Sequence, residues 1–427
     1  MLKKKLIQWV VVLTAVGCLG GCGESVEPGR EIPGAPLQTE EELTYEQMEV
    51  KEAPINTSTL LATNIDLVDR VSAGNPGQNV MISGTSLNYA LAMLGNGAEP
   101  EALQAIEAFL GQDIASTNSY YGELLTRPET GSGNKLVIKN AFWVDETLDY
   151  DVKKDYLKVL EDVYQAHVQE IPMDAKGIKK VNRWAAKATD NMVQNALSPQ
   201  DITEDTVSII MNTTLLDGKW DKPFRKENTR DVDFTMASGD MVKVKGMHDS
   251  AYMYYENEYA TGFRKDYKKN EYYMIAVLPK EEGDFTLAGL DLEGLVASGK
   301  TTSELNAELS IMLPKTDFEV KYNLTQILKA AGLDRLFDKS RNNFPEIYDN
   351  DSPDFKSYAS AVIQNDRLII DEESTRAAAV TSIMVDNCTT AWEEKLQLRV
   401  YLDRPYVLLL MDGETDEPLF VAKIMKP

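Results

Sequence analysis

The sequence predicts a mixed α+β protein, one domain with large sheets. Three observations point there. Apolar residues make up 43 % of the 427, so a sizeable core can form and global disorder is excluded. Segments of helical period and apolar, β-rich runs are interspersed along the body. No internal repeat and no Pro/Gly linker divides the chain after about residue 55.

Residues 2–5 are Leu-Lys-Lys-Lys, and an apolar run from Leu6 to Leu19 follows, with glycines at its end. Basic, then apolar, then small is the layout of a signal peptide. The run is short for a retained membrane span, and no basic stop-transfer cluster follows it. Leu19-Gly20-Gly21-Cys22 resembles a bacterial lipobox, in which the cysteine thiol is acylated and becomes the new first residue. Cys18 lacks the leucine three residues before it. The resemblance implies a signal peptide at 1–21, a lipid on Cys22, and attachment to a bacterial cell-envelope membrane. Residues 22–55 are polar, rich in Gly, Glu, Pro and Thr, and read as a flexible tether; 56–427 read as the folded domain.

In the body, Leu60, Leu61, Asn64, Ile65, Leu67 and Val68 lie along a helix ending near Gly74. Asn79 to Ser83 is extended, and Ser86 starts a helix apolar on most faces, hence buried. A short helix is expected at 101–109, a strand from Lys135 to Trp143, and helices at Val152–Tyr164 and Lys179–Met192. Thr206 to Leu216 is a strand too apolar for a sheet edge. Short strands and turns alternate over 230–280, and Leu309 to Leu313 is a strand closed by Pro314. Leu324 to Ala331 reads as a helix stopped by Gly332, and strands follow at 399–402, 406–411 and 419–424.

Composition excludes several functions. The formal net charge of −24 argues against nucleic acid or an anionic membrane as the main partner. The three cysteines, Cys18, Cys22 and Cys388, give no disulfide framework, and His167 and His248 are the only histidines, so no metal or cofactor is expected. There is no Gly-x-Ser-x-Gly elbow, phosphate-binding loop or dinucleotide fingerprint, so no enzyme is expected.

Five segments in order resemble the serpin family over roughly residues 59–427. NVMISGTSLNYALAMLGNGA at 79–98 is similar to the run that opens the family's buried helix, with Ser83 and Ser86 matching the serines beneath the central sheet and Gly84 where proline is usual. IIMNTTLLDGKWDKPF at 209–224 resembles a central strand and the turn after it; Asn212 matches the strand asparagine, Trp220 the tryptophan at the top of the sheet, and Phe224 follows at the expected spacing. In LPKTDF at 313–318, Lys315 matches the basic residue that pairs with the glutamate at the base of the reactive loop. VYLDRPYVLLLMD at 400–412 is similar to the carboxyl-terminal signature, with Asp403 and Tyr406 where Asn and Phe are common. The fifth segment, IIDEESTRAAAVTSIMVDNC at 369–388, resembles the loop hinge. The resemblance implies an α+β serpin fold: a large central mixed sheet, additional sheets, about eight to nine helices and an exposed reactive loop. It implies a breach and shutter made by Lys315, Trp220, Asn212, Ser83, Ser86 and Gln364, the last standing where many relatives carry a histidine.

The loop segment is odd by its residues alone: β-like, then acidic, then small. An ordinary alanine-containing helix is its plainest reading. The resemblance instead makes Glu372, Glu373, Ser374, Thr375, Arg376, Ala377, Ala378 and Ala379 a hinge, with Ser374 replacing the usual glycine and Arg376 the usual glutamate. It implies a bait that a peptidase cleaves to an acyl-enzyme before the loop inserts into the central sheet. As a strand, the segment turns Thr375, Ala377, Ala379, Thr381, Ile383 and Val385 to one face, all small or apolar. Both charges, Arg376 and Asp386, fall on the other face, where insertion leaves them unburied.

The resemblance implies about seventeen residues from the hinge glutamate to the bait, which, counted inclusively from Glu372, puts the bait at Cys388, with cleavage before Thr389. Counting back from the carboxyl-terminal signature lands near Glu394, so the loop is longer than typical, and Asp386 or Met384 remain alternative baits. The function expected is a suicide-type inhibitor of serine or cysteine endopeptidases, a monomer whose partners are the target peptidase and, through the lipid, the membrane. The alternative is a non-inhibitory serpin-fold surface protein that binds ligands or serves as a substrate.

Overall fold

The computed structural model describes residues 7–18, 56–127, 131–373 and 395–427, the first stretch as backbone. The strands are, in chain order, β1 (Ile7–Cys18), β2 (Val80–Ile82), β3 (Lys135–Asp145), β4 (His167–Ile171) and β5 (Thr206–Asp217). Next come β6 (Thr229–Thr235), β7 (Met241–Ala251), β8 (Met253–Glu256), β9 (Ala260–Asp266) and β10 (Tyr272–Pro279). The last are β11 (Lys300–Thr301), β12 (Ala307–Pro314), β13 (Thr316–Asn323), β14 (Ser357–Ile370), β15 (Leu396–Tyr401), β16 (Tyr406–Asp412) and β17 (Pro418–Ile424). The helices are α1 (Thr57–Gly74), α2 (Gly84–Gly95), α3 (Pro100–Leu110), α4 (Ile114–Thr126), α5 (Lys154–Asp162), α6 (Ala175–Ala188), α7 (Leu292–Ala297) and α8 (Thr325–Leu328).

A six-stranded mixed sheet, ordered β13-β14-β1-β5-β3-β4, positions everything that follows. A seven-stranded sheet (β11-β8-β9-β10-β16-β17-β2) and a four-stranded one (β15-β12-β7-β6) complete the fold. This is the α+β architecture expected. The core falls into three apolar clusters. One packs α1–α5 under the central sheet, one lies between the two smaller sheets, and one joins α6 to the opposite face of the central sheet. α2 is buried along its whole length, as its sequence requires.

The apolar run read as a leader is β1 in the full chain. It lies between β14 and β5 and pairs parallel with both. The run is rich in β-branched residues (Val10, Val11, Val12, Thr14, Val16), and an apolar run of that kind suits a middle strand as well as a leader. β14 and β5 are thus the two borders of the slot that β1 fills.

Other expectations shift at their ends. α6 begins at Ala175, four residues before the sequence reading, because Asp174 caps it through the amides of Lys176 and Gly177. The helix expected over Val152–Tyr164 is two residues shorter at each end. The one expected over Leu324–Ala331 is a single α-turn that widens into a π-turn at Lys329–Leu333, where Gly332 takes φ 98°. α4, β4, α7 and β13 had no counterpart in the sequence reading.

Candidate functional site

β5 and β14, the borders of the slot, are held from below by the first turn of α2. Ser83 caps that helix, its Oγ accepting from the Ser86 amide at 3.3 Å and donating to the Leu419 carbonyl at 3.0 Å. The Ser86 hydroxyl donates to Asn212 Oδ1 on β5 at 2.6 Å, and Gln364 on β14 donates its amide to the Ser83 carbonyl at 3.1 Å. Asn212 and Gln364 both stand opposite Leu13 of β1, level with one another across the slot. Asn212 also donates to Asn140 Oδ1 at 2.7 Å and accepts from Thr214 at 3.0 Å, and Asn140 donates to the Tyr164 carbonyl at 2.8 Å. All of these polar side chains are buried, Tyr164 included although it contributes only its backbone carbonyl here, and the mutual bonding offsets the cost of burying the polar groups.

At the end of the slot, where β14 stops, the chain passes through a clamp. Lys315, between β12 and β13, pairs with Glu372 at 2.7 Å. The Glu372 carboxylate is only 10 % exposed. Burial alone would push its pKa up; the Lys315 ammonium, a backbone amide and the Thr229 hydroxyl outweigh that and hold it below the usual glutamate range. The backbone is caught as well. Trp220 Nε1 donates to the Asp371 carbonyl at 3.1 Å, and the Phe224 amide donates to the Glu372 carbonyl at 2.9 Å. Glu373 forms an ion pair with Lys226.

Trp220 owes its position to aromatic packing. Its ring stacks on Tyr267 at 4.6 Å and meets Phe224 edge-on at 6.1 Å. Gly218 makes this possible, since a Cβ there would stand 2.5 Å from the Tyr267 ring. Lys265 lies over Phe224 at 4.1 Å and is itself held by Asp249 at 2.6 Å.

The structure thus brings Lys315, Trp220, Glu372 and Glu373 together at the clamp, and Ser83, Ser86, Asn212 and Gln364 under the slot. Ser374, Thr375, Arg376, Ala377, Ala378, Ala379, Cys388, Thr389 and Cys22 lie outside the described residues. Sequence reasoning missed Lys226 and Tyr267, whose spacings carry no motif. It also missed two buried acids. Asp366 on β14 is wholly buried, and burial pushes its pKa well above the usual range, offset in part by the neighbouring Gln364 side chain. Glu417, before β17, is bonded by Tyr120 at 2.6 Å and Thr85 at 2.9 Å, and burial raises its pKa to about 7.

β14 and β5 thus flank one strand position, with a clamp where β14 ends and a polar network beneath it. The family model for serpins (serine protease inhibitors) matches residues 59–427. Human neuroserpin is 23 % identical over 85 % of this chain and 90 % of its own. An uncharacterised serpin-like protein of Thermococcus kodakarensis is 24 % identical over 100 % of this chain and 99 % of its own. Among solved structures, the native thermophilic serpin tengpin superposes with a TM-score of 0.75 at 26 % identity, over 88 % of this chain and 96 % of that one. Thyroxine-binding globulin in complex with thyroxine shares the fold, with a TM-score of 0.72 at 20 % identity, over 87 % of this chain and 99 % of that one.

The chain belongs to the serpin family. That places it in a superfamily whose general role is protease inhibition through a reactive loop, and it is not an enzyme.

Proposed function

We propose that the chain is a suicide-type inhibitor of serine or cysteine endopeptidases that traps the acyl-enzyme by inserting residues 372–388 into the central sheet. One observation carries the reading: the sheet accommodates a full strand between β14 and β5, and β14 leads directly into the hinge. The inserting loop would return beside β14 and run antiparallel to it, opposite in direction to β1. Its uncharged alternate face, Thr375 to Val385, suits burial there. The Lys315–Glu372 pair and the two backbone bonds to Asp371 and Glu372 would hold the hinge until cleavage. Asn212, Gln364, Ser83 and Ser86 would govern how readily the borders part. Cys388-Thr389 is the proposed scissile bond, and acylation of Cys22 would hold the protein at the bacterial envelope.

A panel of serine and cysteine endopeptidases tests this. The expected result is an SDS-stable adduct with at least one, and a released fragment whose mass begins at Thr389. Cleavage of the loop by every member, with no adduct, would refute inhibition. It would favour the second reading, a non-inhibitory binder or substrate, which Ser374 in place of the hinge glycine supports.

A further inference from the structure

The net charge of −24 conceals one face of opposite sign. α6 contains Lys176, Lys179, Lys180, Arg183 and Lys187 and no acidic residue. Its Gly177, Ile178, Val181 and Ala185 are buried, so the helix packs by that side against the sheet, and all five basic residues are exposed. Lys176, Lys180, Arg183 and Lys187 follow one another at intervals of four, three and four, a single stripe along the helix, with Lys179 beside it. None of the five forms an ion pair with a described residue, although the chain holds 68 acids against 44 bases. Asp174, the cap, is close enough to Lys176 and Lys180 for its pKa to be lowered, chiefly by the amides it caps and in smaller part by them.

We propose that the outer face of α6 is a docking surface for anionic phospholipid headgroups of the membrane that carries the protein. The proposal rests on the anchoring part of the function proposed above. A lipid on Cys22 keeps the body within a tether's reach of a bilayer, and there a cationic stripe on an otherwise acidic body selects which face turns to it. The consequence reaches the slot. The apolar side of α6 packs in one cluster with Ile209 and Met211 of β5 and Ile363 of β14, so the helix shares a packed core with both borders. A strand entering the slot would have to repack that cluster. Headgroups bound on the outer side would therefore alter how easily α6 yields and how fast the trap closes.

Flotation of the full chain carrying Cys22→Ser, with vesicles of phosphatidylcholine alone or mixed with phosphatidylglycerol, tests the docking without the acyl anchor. The expected result is added binding on the anionic vesicles that disappears at high salt. Each basic side chain beside an anionic surface is worth about a fivefold change in partition. The variant Lys179→Gln/Lys180→Gln/Arg183→Gln should lose about a hundredfold of the added binding and keep its unfolding midpoint. Equal binding to both vesicle types, or a variant that retains the increment, overturns the proposal. So does inorganic polyphosphate binding to α6 without any preference for anionic vesicles. The mass of Cys22 in the unsubstituted protein reports acylation separately, so a missing anchor and a non-binding helix are distinguishable.

Discussion

Glu417→Gln should make the protein more stable at neutral pH and leave it unchanged in acid. The carboxyl is 1 % exposed and sits among the hydroxyls of Tyr120, Thr85 and Tyr121. Its pKa is raised from 4.5 to about 7, by burial first, against the hydrogen bonds from Tyr120 and Thr85. An acid whose folded pKa exceeds its unfolded one binds more protons when folded. The associated stability is therefore complete below pH 4.5 and is lost as pH rises to about 7. A gap of roughly two to three pKa units corresponds to about 3 kcal/mol, since each unit is worth about 1.4 kcal/mol. Glutamine reproduces the neutral carboxyl and cannot ionise. Urea unfolding of both proteins from pH 4.5 to 8 checks this. The two should coincide at the acid end and diverge with rising pH, the variant leading by about 3 kcal/mol above neutrality. A pH-independent difference, or a variant weaker at pH 8, would refute a neutral Glu417 in the folded state.

Three further outcomes follow from the site. Lys315→Ala strands a mostly buried carboxylate, but Lys315 is 40 % exposed, so the expected cost is modest, about 1 kcal/mol; Glu372→Gln in a double-mutant cycle should recover much of it, and additive effects would show that the two do not interact. Gly218→Ala places a methyl against the Tyr267 ring and should cost roughly 1–3 kcal/mol and shift Trp220 fluorescence; an unchanged spectrum would mean that the stack does not depend on that close approach. Asp366→Asn removes a buried carboxyl whose pKa burial has raised, so its gain in unfolding midpoint should grow from about pH 4 upward; a gain confined to acid would contradict the burial argument.

The architecture was legible because its strongest elements are apolar over their whole length. Thr206–Leu216 and the helix from Ser86 could only be interior, and both are. The pairs within the site were reachable only through family resemblance, because Lys315 and Glu372 are 57 residues apart and nothing in composition brings them together. Elements without a strong apolar period went unseen. α4 is rich in Ser, Thr, Asn and Tyr and buries only Thr117, Tyr121 and Leu124. Glu417 sits in an acidic Asp-Gly-Glu-Thr-Asp-Glu stretch that reads as an exposed turn, yet Tyr120 and Thr85 approach from two helices and close over it. Leu6–Leu19 shows the opposite ambiguity, since apolar runs of that length serve export and sheet interiors alike. The basic stripe of α6 was masked by the overall charge and by a helix start read four residues late.

The measurement that bears most directly on the central claim is thermal unfolding before and after the reactive loop is cleaved. If residues 372–388 enter the slot, they add hydrogen-bonded ladders to both β14 and β5, and the cleaved protein should melt far above the intact one, with slowed amide exchange along both borders. A cleaved protein with an unchanged melting temperature and unchanged exchange in β5 and β14 would contradict insertion, and with it the trap.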